Sequence, residues 1–127
     1  MRVKRVTAVL LADRVEPTRD FFKRVGFAAI VEIREGDGIG FAILERDGQQ
    51  LMVETRDNER EAASLRAVTR DSRSAQVFVD VDDLDAVIEA LRAMPVLVER
   101  HSTFYGADEI TYREPGGNLV TFAQFTR

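Results

Sequence analysis

One order of elements is written twice in this chain, and that repetition limits the fold more than any single residue does. The stretch TAVLLADRVEP lies over QVFVDVDDLDA so that Thr7 stands opposite Gln76 and Val15 opposite Leu84. Identity between the copies is weak, but the sequence of apolar strand, turn and amphipathic helix is kept, which marks an internal repeat. In the first copy RVTAVLLA reads as a largely buried strand and EPTRDFFKRV as a short helix. Pro17 suits a first helical turn, where its missing amide proton has no helical partner. Val15, Thr18, Phe21, Phe22 and Val25 fall on one helical face, and Gly26 ends it. FAAIVEIRE, IGFAILE and QLMVETR follow as three strands, separated by GDG and RDGQ, whose glycines permit tight reversals.

The second copy repeats this order. SAQVFVDV is a strand, and DDLDAVIEALRAM is the clearest helix, with Leu84, Val87, Ile88 and Leu91 on its apolar side and Asp82 or Asp83 placed to cap it. VLVER, EITYRE and NLVTFAQF complete a second set of three strands around STFYGAD and PGG. The expected class is α+β: one domain over 1–127, built from two paired β-α-β-β-β modules at 1–56 and 75–127. Residues 57–74 form a charged connector compatible with a short helix at EREAASLRAV. An isolated module leaves one apolar sheet face bare, so pairing supplies burial. The expectation is a curved, cup-like mixed sheet, its helices outside and its other face curling around a central space.

The bulk numbers narrow the chemistry. The chain has no cysteine, which excludes disulfides, thiolate nucleophiles and cysteine-ligated zinc. With Lys+Arg 18 against Asp+Glu 22, the net charge is -4 and the arginines are dispersed among acidic neighbours, so no nucleic-acid partner is expected. No apolar run has bilayer-spanning length, and the opening MRVKRVTAVLLADRVEP is broken at Asp13 and Arg14 in a way unlike a secretory leader. The expectation is a cytoplasmic protein with no membrane partner.

Strand alternation selects the candidate site. Thr7 shares a face with Val9 and Leu11, Glu54 with Met52, Gln76 with Phe78 and Asp80, and Thr121 with Leu119 and Ala123. If Thr7, Glu54, Gln76 and Thr121 point into a concavity, they supply a few polar groups in an apolar wall, as a small organic ligand requires. Each has a plainer role open to it. The threonines fit sheet packing, Gln76 can satisfy a backbone group, and Glu54 can be a solvated strand-end residue. Phe104 and Tyr105, beside Gly106, either wall a planar ligand or plug the core, and Phe78 either lines the face or packs. His101 is the one histidine and sits between Arg100 and Ser102, so it is either a proton-transfer group or a satisfied loop residue. Arg100 and Arg113 are surface residues or partners for an acidic ligand group. GDGIG joins two strands, whereas a phosphate-binding glycine run needs a strand-to-helix setting.

VTAVLLADRVEPTRDFFKRVGF, VFVDVDDLDAVIEALRA and above all FYGADEITYREPGGNLVTF resemble the vicinal oxygen chelate superfamily, the glyoxalase/bleomycin-resistance/dioxygenase group. Glu114 stands where the family's turn usually carries aspartate. In metal-dependent relatives the ligands come from the opening strand and the last strand of each module. The resemblance places Thr7, Glu54, Gln76 and Thr121 at those positions. Glu54 and Gln76 can approach a cation, but the two threonines break the set. The implied function is a metal-independent small-molecule-binding protein, without cofactor, of the drug- or antibiotic-sequestering kind that works as a homodimer. The alternative is a divergent metal-dependent lyase, isomerase or dioxygenase using Glu54 and Gln76.

Overall fold

A computed structural model of the chain describes residues 1–126. The elements run β1 (Ala8–Ala12), α1 (Val15–Arg24), β2 (Ala28–Glu35), β3 (Gly38–Arg46), β4 (Gln49–Thr55), α2 (Ala63–Thr69), β5 (Gln76–Asp80), α3 (Leu84–Ala90), β6 (Val96–Ser102), β7 (Ala107–Arg113) and β8 (Leu119–Phe125). They divide into two compact units, Met1–Ser72 and Arg73–Arg127. The two helices aligned in the sequence begin at the matched residues Val15 and Leu84.

In the first unit the sheet order is β1-β4-β3-β2, with β1 parallel to β4 and the other pairs antiparallel. The β3–β4 reversal uses Asp47 and Gly48 at φ 52° and 76°, the left-handed pair that matches the twist of a tight hairpin. Helix α1 packs on β3 and β4. Its stripe of Val15, Thr18, Phe21 and Phe22, with Val25 at its C-cap, is buried, as are Ala42 and Leu44 on β3 and Val53 on β4. Phe22 meets Phe21 and Phe27 edge-on at 5.2 and 5.5 Å between ring centres, a geometry favourable beyond simple area burial.

The second unit repeats the plan with order β5-β8-β7-β6 and a parallel β5–β8 pair. Helix α3 packs on β8, burying Leu84, Val87 and Leu91. Asp83 is its cap, accepting from the Ala86 amide at 3.0 Å, and Gln124 Oε1 accepts from the Leu84 amide at 2.8 Å. Both interactions satisfy amides that a helix start leaves without internal partners.

The glycine-rich turn before β8 fixes the parallel pairing. Gly117 adopts φ +95°, which lets Asn118 fold back so that Glu114 Oε1 accepts from its amide at 2.9 Å and from its side chain at 3.1 Å. Asn118 Oδ1 then accepts from the Ala75 amide at 2.9 Å, and the Leu119 amide donates to the Ala75 carbonyl at 2.9 Å. Asn118 therefore latches the first residue of the β5 approach to the first residue of β8.

The curved, cup-like mixed sheet expected from the sequence is overturned. The strands form two separate four-stranded sheets, and no strand ladder among the described residues closes or curls them into one. The physical reason lies in the parallel partners. The first strand of each module pairs with the last strand of the same module, so each parallel ladder is made within one module.

The latch has a measurable consequence. Asn118→Ala removes a buried side chain that bonds both Glu114 and Ala75, and should lower unfolding free energy by about 2–3 kcal/mol. Urea unfolding measures it; a loss below about 0.5 kcal/mol would show that the turn holds without the asparagine.

Candidate functional site

Residues paired across a ladder project to a common side, so register alone sorts the side chains. On the face of the second sheet opposite α3, three rows follow. Gln76, Leu119 and Arg113 form one, Phe78, Thr121 and Thr111 the next, and Asp80, Ala123 and Glu109 the third. Phe125 pairs with Ala107 beyond them. Three of the sequence-named residues, Gln76, Phe78 and Thr121, thus share this face. Tyr105 reaches it from the turn before β7: its hydroxyl donates to Glu109 Oε2, and its ring lies 6.0 Å from that of Phe125.

Polar groups on this face are largely engaged with one another. Thr121 Oγ1 lies 2.7 Å from Thr111 Oγ1, a hydroxyl pair spanning β7 and β8. The Tyr105 hydroxyl is pushed above the ordinary phenol range, chiefly by its bond to Glu109, with burial and the Glu109 charge adding to it, so it stays a proton donor. Gln76 and Phe78 are exposed, while Glu109 is 7% exposed.

Thr7 and Glu54 belong to the first unit. Thr7 lies immediately before β1 and is half-buried. Glu54 pairs with Leu11 on one side and Phe41 on the other, on the face opposite α1. Its carboxyl is pushed up to about 7, first by burial, then by a hydrogen bond to the Glu61 side chain and by the negative charges of Glu61 and Glu35. Glu35 is itself anchored, accepting from Thr55 Oγ1 at 2.7 Å and from the Glu59 amide at 2.9 Å. Buried Asn58 donates to the Gly40 carbonyl and to Thr55 Oγ1, each at 3.0 Å, which holds the loop carrying Glu61 against β3 and β4.

When Thr7 is laid on Gln76, the partner registers put Met52 at the strand position of Thr121 and Glu54 at that of Ala123. At these positions the second unit offers a hydroxyl already paired, Thr121, and the first a thioether, Met52, which is too soft a ligand for a hard divalent cation. Among the described residues no group of three or more His, Cys, Asp or Glu side chains is arranged to hold a metal ion.

Sequence reasoning passed over Glu109, Thr111, Phe125 and Glu61. The first two were detectable: Glu109 and Thr111 alternate along EITYRE, and the hairpin joining that strand to NLVTFAQF sets them beside Ala123 and Thr121. Glu61 carried no signal, since it lies in a loop fixed by Asn58. His101 is exposed on β6, its Nδ1 2.9 Å from the Glu99 carbonyl, and GDGIG bridges β2 and β3. No helix among the described residues is long and apolar enough to cross a membrane.

A twice-repeated β-α-β-β-β unit with a parallel pair between its first and last strands defines the class of fold. The chain belongs to the Glyoxalase/Bleomycin resistance protein/Dioxygenase superfamily, whose profile matches residues 4–122. Among solved structures it is similar to lactoylglutathione lyase from Agrobacterium tumefaciens, at 17% identity and TM-score 0.74 over 98% of this chain and 96% of that one. A glyoxalase-related enzyme from Clostridium phytofermentans is similar at 11% identity and TM-score 0.73, covering 99% and 98%. A bleomycin-binding protein complexed with bleomycin is similar at 18% identity and TM-score 0.65, covering 98% and 100%. At these identities the likeness is one of fold, in a superfamily holding both enzymes and binding proteins. No curated protein matches the sequence.

The Glu54 environment sets a pH dependence. Its folded value of about 7 lies above the ordinary 4.5, so the folded state holds a proton that the unfolded chain releases. The resulting stabilisation is complete below about pH 4.5 and is lost as pH rises through 7. After allowance for partial solvent exposure it amounts to on the order of 1 kcal/mol. Glu54→Gln should flatten the stability profile between those limits and raise stability at pH 8; thermal unfolding across that range reads it, and an unchanged profile would remove the assigned cause.

Proposed function

We propose that this chain is a metal-independent small-molecule-binding protein, of the kind that sequesters a drug or antibiotic, and that the ligand lies on the face of the second sheet opposite α3. The observation that carries this reading is the Thr111–Thr121 hydroxyl pair set beside exposed Phe78 and Gln76. By the family resemblance, Thr121 stands where metal-dependent relatives supply a ligand. Here the side chain is a neutral hydroxyl spent on a neighbour. An aromatic ring with a few fixed polar atoms orients an organic guest, whereas Lewis-acid chemistry needs a firmly held cation with an open coordination position. Likeness to a bleomycin-binding protein agrees with binding without turnover. Within this reading Gln76, Phe78, Tyr105 and Thr121 contact ligand in the second unit, and the working form is a homodimer.

A second reading, a divergent metal-dependent lyase, isomerase or dioxygenase, is favoured by one observation. Glu54 lies in a group of carboxylates with Glu61 and Glu35, which suits it to take up a proton near neutral pH. It would then act as base or metal ligand. Likeness to lactoylglutathione lyase agrees with this class.

Amide NMR titration separates the two. In the presence of a chelator, a panel of aromatic compounds should give saturable shifts on β5, β7 and β8, and Phe78→Ala should weaken the best binder about tenfold. Binding that vanishes with chelator and returns with a divalent cation, with shifts centred on Glu54, would replace the first reading by the second.

A further inference from the structure

Four aromatic rings run along the second unit in a connected series. Phe78 lies 6.3 Å from Phe125, Phe125 lies 6.0 Å from Tyr105, and Tyr105 lies 5.1 Å from Phe104. Phe78, Tyr105 and Phe104 are 52%, 46% and 100% exposed, a large apolar outlay for a surface unless something covers it. The same face carries two acidic groups, Asp80 and Glu109, on either side of Ala123 in one row across β5, β8 and β7. Two strand spacings set their backbones about 10 Å apart, the width of a small organic head group with room for a carboxylate at each side.

Glu109 is the informative member. It is nearly buried, yet among the described residues its one hydrogen-bond donor is the neutral Tyr105 hydroxyl, and it forms no ion pair. Basic neighbours in this unit are directed elsewhere. Arg100 pairs with Asp85 and Asp108, Arg113 donates to the Gly117 carbonyl at 3.3 Å, and His101, the register partner of Glu109, has its Nδ1 at the Glu99 carbonyl. A carboxylate removed from water without a countercharge favours any cation that reaches it. Aromatic faces add attraction for a cation through their quadrupoles and supply apolar area for the body attached to it. Solvated inorganic ions gain little from such a wall, while an alkylammonium or arylammonium gains from both parts.

We infer that the aromatic and acidic face formed by Phe78, Phe125, Tyr105, Asp80 and Glu109 selects small organic cations, a positively charged amine or quaternary ammonium joined to an apolar or aromatic body. This rests on the small-molecule-binding reading and narrows it to one ligand class. Phe78 and Phe125 hold the body, Glu109 faces the charge, and Asp80 adds a second negative group at the solvent edge. Tyr105 contributes its ring to the aromatic face and, by donating to Glu109, also fixes the orientation of that carboxyl group.

The test uses the full chain at pH 8, above the ordinary histidine titration range, and amide shifts on β5, β7 and β8 as the readout. The probes are benzyltrimethylammonium, its neutral isostere neopentylbenzene, and phenylacetate. The cation should bind about tenfold more tightly than the neutral isostere, and phenylacetate more weakly than either. Glu109→Gln keeps an acceptor for Tyr105 while removing the charge, so it should abolish the difference between cation and isostere and leave isostere binding in place. Asp80→Asn, at an exposed position where folding is not at issue, should reduce the difference by a smaller factor. Equal binding of cation and isostere to the unaltered protein overturns the cation preference and leaves the small-molecule reading standing. Absence of saturable shifts from all three probes overturns both.

Discussion

Each four-stranded sheet in this chain has one helix to cover it, and a helix of seven to ten residues can cover only one side. Everything of functional interest follows from that shortage. The helix-covered faces are filled by ordinary apolar packing: Phe21 and Phe22 against Leu44 and Val53 in the first unit, and Leu84 and Leu91 on the side of Val120 and Phe122 in the second. The opposite faces are mixed. They carry Glu54 beside Met52 and Phe41 in one unit, and Gln76, Phe78, Thr121 and Glu109 in the other. Strand alternation enforces this division, because neighbouring residues cannot both satisfy the helix side.

How much of this the sequence discloses depends on whether the information is local. Strand and helix order is local, carried by alternation, helical spacing and the glycines that end elements, and the matched starts at Val15 and Leu84 were visible as an alignment. The cap at Asp83 and the buried stripe of α1 were legible for the same reason. Sheet closure is not local. Whether β1 seeks its partner in its own module or in the other depends on parallel pairing between segments about 43 residues apart, as Ala8 and Leu51 are. A curled sheet and two separate sheets have the same strands and the same alternation, so the pattern of apolar residues does not distinguish them.

The candidate residues divide along the same line. Gln76, Phe78 and Thr121 share a face because two of them alternate along β5 and the third is held in register by the parallel ladder to β8. The Asn118 latch keeps that register, so the PGGN turn, singled out as a family resemblance, is a structural device for placing Thr121. Tyr105 was visible as an aromatic residue in a turn, but its acceptor was not. Glu109 becomes significant only once the β7–β8 hairpin aligns it with Ala123 and the turn brings the phenol over it.

Two carboxyl groups on the helix-free faces then show how environment separates chemically identical side chains. Glu54 has acidic neighbours, Glu61 and Glu35, and meets burial and repulsion by holding a proton up to about pH 7. A carboxyl in that state donates as readily as it accepts and has little pull on a cation. Glu109 is more deeply buried but has a phenol donor and no carboxylate bonded to it. The first arrangement shares a proton-holding carboxyl with other carboxyls, while the second ties its carboxyl to a phenol in the aromatic series. The two units thus place their helix-free carboxyl groups in different company, other carboxyls around Glu54 and a phenol with its aromatic neighbours around Glu109.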